Sequence, residues 1–206
     1  MPVGVLDYGG LEENVAVYCL TGYPRPFELR DGTSVTLRPM ERTDAEALLA
    51  FFRRIPEEDR FFLKDDVASE KVIARWAEDL NYDRALPLLA FRDEQVIANA
   101  VLIRHRGGYR RHLAEVRILI EPAFRGQGLG VGMIRQLIEI AWDAELEFTQ
   151  FELVRGINDE AIQAAEFLGA MTVGSIPNAA KDTRGDLHDL VFLQIPLGKW
   201  WQWSQF

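Results

Sequence analysis

Four glycines, Gly126, Gly128, Gly130 and Gly132, occupy every second position within "EPAFRGQGLGVGMIRQL", between an alternating apolar segment and a helix-like one. A strand-to-helix junction without side chains lets main-chain N–H groups converge on one point and lets a ligand approach closely, while the helix dipole adds about half a positive charge. Such a junction suits a phosphate group. A P-loop would need a lysine after its glycines, and none follows here. A dinucleotide fingerprint needs Gly-x-Gly-x-x-Gly, but counting from Gly126 reaches Val131 and counting from Gly128 reaches Met133. The intervening Glu121-Pro-Ala-Phe-Arg125 also separates strand from glycines, which a tight Rossmann turn does not permit. Glu152 does lie near the end of the next strand, where such a fold would hold a ribose.

The elements that must position this loop follow from periodicity. In 112–120, Ala114, Val116, Ile118 and Ile120 share one face of a strand and leave Glu115 and Arg117 on the other. A helix is expected from the glycines to about residue 145, then a strand over 148–154. Asn158 opens a further helix that ends near Gly169. Upstream, a strand is expected over 34–40 and a helix over about 43–54, with Thr43 and Glu46 at capping-box spacing. A short helical turn over 57–63 and a helix capped by Ser69 come next, then a hairpin of 86–91 and 95–104 about Asp93-Glu94. Strands over 171–174 and 187–195 close the chain. Residues 1–30 read as a loosely built arm, and residues 31–206 as one α/β (α+β) domain. Its expected core is a mixed, mostly antiparallel sheet with helices on both faces.

Composition narrows the function classes. The chain has 206 residues, 48% of them hydrophobic, enough for a buried core in one large domain. A formal charge of −9 without a Lys/Arg-rich run argues against nucleic acid and against anionic membranes. No apolar run approaches the roughly 20 residues of a spanning helix. The single Cys19, read as a buried packing residue, excludes an internal disulfide, and the start lacks the pattern of a signal peptide, so a cytoplasmic protein is expected. His105, His112 and His188 have no ligand spacing, so no metal site is expected. Trp200, Trp201, Trp203 and Phe206 are expected to pack over the core or into a subunit contact, which would suit a homodimer.

The fragment Arg125-Gly-Gln-Gly128-Leu-Gly130 matches Arg/Gln-x-x-Gly-x-Gly/Ala and resembles the pyrophosphate loop of the GNAT superfamily of acyl-CoA-dependent N-acyltransferases. The order of elements over 34–197 is similar to that family's. The stretch "LRDGTSVTLRPMERTDAEALLAFF" and the pair Ala114-Glu115 resemble the acetyltransferase domain of bacterial protein-lysine acetyltransferases in particular. The resemblance implies acetyl-CoA as cosubstrate. It implies that Ile118, Leu119 and Ile120 lie along the pantetheine arm, and that Arg125, Gly126, Gln127, Gly128, Leu129 and Gly130 surround the pyrophosphate. Asn158 stands at a pantetheine-contacting position and equally at a helix cap. Gly132 matches no required position and is read as relieving helix–sheet crowding.

Acyl transfer to an amine needs an uncharged nucleophile, support for the oxyanion and a thiolate able to depart. Between a free lysine of pKa near 10.4 and a glutamate near 4.3, direct proton transfer runs uphill by roughly 8 kcal/mol. The resemblance places an acidic residue at Glu115, which makes it the candidate base. Pairing with Arg117 on the same strand face would instead depress its pKa and weaken it. Glu121 reads as a loop carboxylate, and His112 as an ordinary strand-end histidine. In many relatives a tyrosine seven residues after the helix-opening asparagine protonates the departing sulfur. Here that position is Ala165, and Ala170 replaces the aromatic residue expected after Gly169. A thiol of pKa near 8.5 leaves tolerably without an acid. The expected function is acetyl transfer from acetyl-CoA to a primary amine, either a small molecule or a protein lysine, by direct attack. The alternatives are a non-catalytic acyl-CoA-binding regulatory module and a nicotinamide-binding enzyme.

Overall fold

A computed structural model describes residues 18–104 and 107–198. The sheet opens with the antiparallel strands β1 (Arg25–Glu28) and β2 (Ser34–Pro39). Three helices follow, α1 (Ala45–Arg54), α2 (Glu57–Arg60) and α3 (Glu70–Glu78). The hairpin β3 (Ala85–Arg92) and β4 (Gln95–Arg104) leads to β5 (Leu113–Ile120), and then to α4 (Leu129–Asp143). The chain continues through β6 (Phe148–Val154), α5 (Asp159–Phe167), β7 (Met171–Lys181) and β8 (Leu187–Pro196). The eight strands form one sheet in the order β1-β2-β3-β4-β5-β6-β8-β7. Every pairing is antiparallel except β5 with β6.

The sheet is buried on both faces because its central strands are apolar at consecutive positions. In β3, Leu88 and Ala90 join the core beneath α4 and α5, with Met133, Leu137, Ile162 and Phe151. Leu89 and Phe91, one residue out of phase, join a second core with Phe51, Phe52 and Ile73 of α1 and α3. The β5–β6 pairing is short and sets the shape of the site. It runs through Leu113–Phe148 and Ala114–Thr149 and ends at Glu115–Gln150. Beyond that pair β5 continues against β4 alone, as far as Ile120 opposite Ala98, while β6 continues against β8. The two central strands therefore form a fork.

Several expectations need correcting. The arm expected over 1–30 ends earlier, because Arg25–Glu28 pairs with β2 and Leu29 lies in the core. The Thr43/Glu46 capping box does not form; Asp44 instead accepts the Glu41 N–H at 2.7 Å, and its carboxylate is clamped by Arg38 at 2.7 Å on both oxygens. Strand β7 runs on to Lys181 past the expected end at Gly174, because Ser175, Ile176, Ala180 and Lys181 continue to pair with β8, and its exposed faces give no apolar alternation to announce this. Cys19 is exposed rather than buried. His105 and the aromatic tail with Trp200, Trp201, Trp203 and Phe206 lie outside the described residues.

Candidate active site

Backbone direction decides what the fork presents. The Glu121 N–H donates to Ile97 of β4 at 3.0 Å. In an antiparallel ladder successive residues turn their main-chain groups to alternate sides, so Leu119 and Arg117 also face β4, while Ile118 and Ile120 face away from it. On that far side the pairing with β6 has already ended, so Ile118 and Ile120 present main-chain groups to a gap with no strand partner. Leu119 packs its side chain against the α1–α3 core. Of the expected pantetheine residues, two therefore offer backbone to the gap and one does not.

The glycine loop stands at the end of this edge. Gly126 and Gly128 have φ of +68° and +85°, a left-handed backbone that non-glycine residues adopt at a cost of about 1–2 kcal/mol. Gly128 caps α4, leaving the first helical N–H groups free of partners within the helix. A Cβ on Gly130 would stand 3.2 Å from Ile120 Cδ1 and 3.9 Å from Ile118 Cδ1, so the helix head packs on the side chains of the two residues whose main chain borders the gap. Leu129 is buried beneath the loop. Gln127 lends its carbonyl to the Arg30 N–H at 3.1 Å. Arg125 donates to the Ile120 carbonyl at 3.1 Å and to Asp59 of α2 at 2.6 Å. Gly132 belongs to packing: a Cβ there would come within 2.5 Å of the Phe27 ring atom Cζ.

Glu115 occupies the opposite face of β5, at the last pair before the fork opens, and is 8% exposed. Arg117 Nε donates to its Oε1 at 2.7 Å and Lys64 Nζ at 3.3 Å. Burial pushes its carboxyl up, but Arg117 and then Lys64 outweigh that and hold it below the ordinary glutamate value. Both readings of Glu115 thus keep part of their content: it is sheltered, as a base should be, and it is paired with Arg117. Lys64 also donates to Glu152 Oε2 at 3.2 Å, so one ammonium spans the two arms of the fork. The same face carries Gln150, bonded to Gln194 at 3.1 Å, and Asn99, which is buried with a side-chain oxygen lacking a protein partner. Glu121 is held by Arg54 at 3.1 Å, outside this cluster.

Asn158 stands at the N-cap of α5, but its side chain makes no capping bond to the helix. Its Oδ1 accepts the Val154 N–H at 2.9 Å and closes the turn after β6, at the far arm of the fork. Ala165 is fully buried in the core under α4 and α5, so its position offers the cleft no proton donor. Three residues at the site escaped sequence reasoning. Arg30 lies in the presumed arm, yet its Nη1 reaches the Gly126 carbonyl at 3.3 Å. Asp59 and Lys64 approach their partners across 66 and 51 residues of chain, and no local pattern announces such contacts.

Residues 34–170 match a family described as the acetyltransferase (GNAT) domain. Solved structures share the fold. The GNAT domain of S. lividans PAT superposes with a TM-score of 0.69 at 23% identity, over 84% of this chain and 96% of that one. A ribosomal-protein-alanine N-acetyltransferase from Brucella melitensis gives 0.66 at 24% identity, over 78% and 99%. The protein yncA from Salmonella typhimurium, solved with acetyl-CoA, gives 0.68 at 19% identity, over 80% and 95%.

Proposed function

Because this chain belongs to the GNAT acetyltransferase family, we propose that it transfers an acetyl group from acetyl-CoA to a primary amine, the nitrogen attacking the thioester carbonyl directly. The observation that carries this reading is the fork. Pairing of β5 with β6 stops at Glu115, and the bared edge at Ile118 and Ile120 runs to a helix head packed on the side chains of those two residues. The residues fit the donor. An extended amide arm can add to the open edge as a strand would, and a diphosphate can meet the N–H groups between Arg125 and Gly130. Main-chain N–H on the gap side of β5 supports the thioester oxygen as charge develops on it.

Glu115 receives the amine proton. Its lowered pKa widens the gap to a free ammonium, so the amine attacks from its neutral form and Glu115 takes the proton that becomes acidic as the nitrogen bonds to carbon. The carboxylates of Glu115 and Glu152 suit a cationic acceptor, whether a small amine or a lysine side chain. With Ala165 buried, the sulfur leaves as thiolate and takes its proton from water. Thermal shift with acetyl-CoA, CoA and NAD, followed by thiol release against amines and lysine peptides, tests the reading. Stabilisation by both CoA species with amine-dependent thiol release is expected, and stabilisation by NAD alone would end it.

A second reading is an acyl-CoA-binding regulatory module without turnover. It is favoured by the buried Ala165 and by the two cations already engaged with Glu115. Cofactor stabilisation without thiol release across a broad amine panel would select it.

A further inference from the structure

We propose that Lys64 is a site of self-acetylation, the protein's own first acceptor, because its ammonium already stands where an acceptor nitrogen must be to give its proton to Glu115. The proposal rests on the acetyl-transfer reading above. Lys64 Nζ lies 3.3 Å from Glu115 Oε1 and 3.2 Å from Glu152 Oε2. Glu115 belongs to the last β5 residue paired with β6, and Glu152 lies two residues past the last paired residue of β6, so the ammonium sits across the mouth of the fork. This is the place from which an amine has both a base beside it and the open strand edge next to it.

The arm is held there. Lys64 lies between α2 and α3, with Leu63 packed against the α1–α3 core and Val67 buried within it. Both neighbours tie down the segment, while the Lys64 side chain itself is 48% exposed and has room to turn. Its pairs, at 3.3 and 3.2 Å, are longer than the 2.7 Å pair of Arg117 with Glu115, so Lys64 is the looser of the two cations on Glu115 and the one free to turn toward a thioester carbonyl in the gap. Attachment to the same chain supplies the high local concentration that an outside amine lacks.

The step balances. The Lys64 nitrogen forms a bond to the acetyl carbonyl carbon as the carbon–sulfur bond breaks. Of the ammonium's three protons, one is lost to solvent first and bares the nitrogen lone pair, a second passes to Glu115 as the bond to carbon forms and is matched by the proton that the coenzyme thiolate takes up, and the third remains on the new amide. The products are N-acetyl-lysine and free coenzyme A. Acetylation removes the cation from between the carboxylates, leaving Glu115 with Arg117 alone and opening the place beside Glu152 to another ammonium.

The chain has four lysines, Lys64, Lys71, Lys181 and Lys199, so peptide mass spectrometry resolves every candidate. The folded 206-residue chain incubated with acetyl-CoA is expected to acquire one acetyl group on Lys64 about tenfold or more faster than on Lys71 or Lys181. The rate constant should not depend on protein concentration, and heat-unfolded protein should lose the preference. In Glu115→Gln the Lys64 rate should fall by about a hundredfold or more, with circular dichroism verifying that the variant is folded. Modification of Lys64 no faster than of Lys71 and Lys181, or at a rate rising with protein concentration, overturns the proposal. Thiol release to outside amines with Lys64 unmodified would overturn this inference and leave acetyl transfer standing. Absence of any stabilisation by acetyl-CoA or CoA would remove both.

Discussion

Glu115 is caught between burial, which favours its neutral form, and two cations, which favour its charge and prevail. Removing Arg117 should reverse that balance. In Arg117→Met the carboxyl pKa is expected to rise, because burial remains while the closer cation is gone. The acid limb of the kcat/KM profile should then move to higher pH, and a pH–rate series on both proteins reads the shift. Glu115→Gln is expected to lose about 10²–10⁴-fold in kcat with the protein still binding CoA, as judged by thermal shift. Unchanged turnover in that variant would show that Glu115 takes no proton. The Arg117 pairing was open to sequence reasoning, since residues two apart on a strand share a face. The Lys64 and Glu152 contacts were not, because they arise from how the α2–α3 segment and β6 come together in space.

Helix α4 and strand β1 meet at Gly132, where the Phe27 ring occupies the room a methyl group would need. Gly132→Ala should therefore cost about 1–3 kcal/mol by overpacking, against about 1 kcal/mol gained in helix propensity. Denaturant unfolding of this variant, alone and with Phe27→Leu, checks the cause: the second change should recover most of the loss. Strand β1 escaped prediction because Pro24 and Pro26 resemble loop punctuation, yet an edge strand tolerates proline. At the head of α1, burial raises the Asp44 carboxyl, but the Arg38 clamp and the Glu41 N–H more than offset this and leave it below the ordinary value. A depressed carboxylate stabilises the fold fully above its unfolded pKa, near 3.9, and the contribution fades as pH falls through the lower folded value. Asp44→Asn should thus be less stable by about 1–3 kcal/mol at neutral pH, with the difference from the parent protein shrinking below about pH 4. Urea midpoints between pH 2 and 7 provide the measurement.

The whole molecule carries a charge of −9, and its field should draw a cationic acceptor toward the fork. Raising ionic strength from about 0.01 to about 0.15 M should lower kcat/KM for such an acceptor while kcat holds, and a salt series against a neutral amine isolates the effect. The order of elements and the glycine loop were legible because both are local, written in periodicity and in residues without side chains. The fork was not, since where β5 and β6 part is fixed by their competing partners β4 and β8. The contribution of residues 25–30 was hidden for a similar reason, and it has a practical outcome. A shortened protein cut to begin at Ser34, where the family match starts, would lack the Phe27 ring seated on α4 and the Arg30 amide that steadies Gln127. Such a fragment should express as a looser domain whose melting point responds only weakly to CoA, and its inactivity would say nothing about the intact protein.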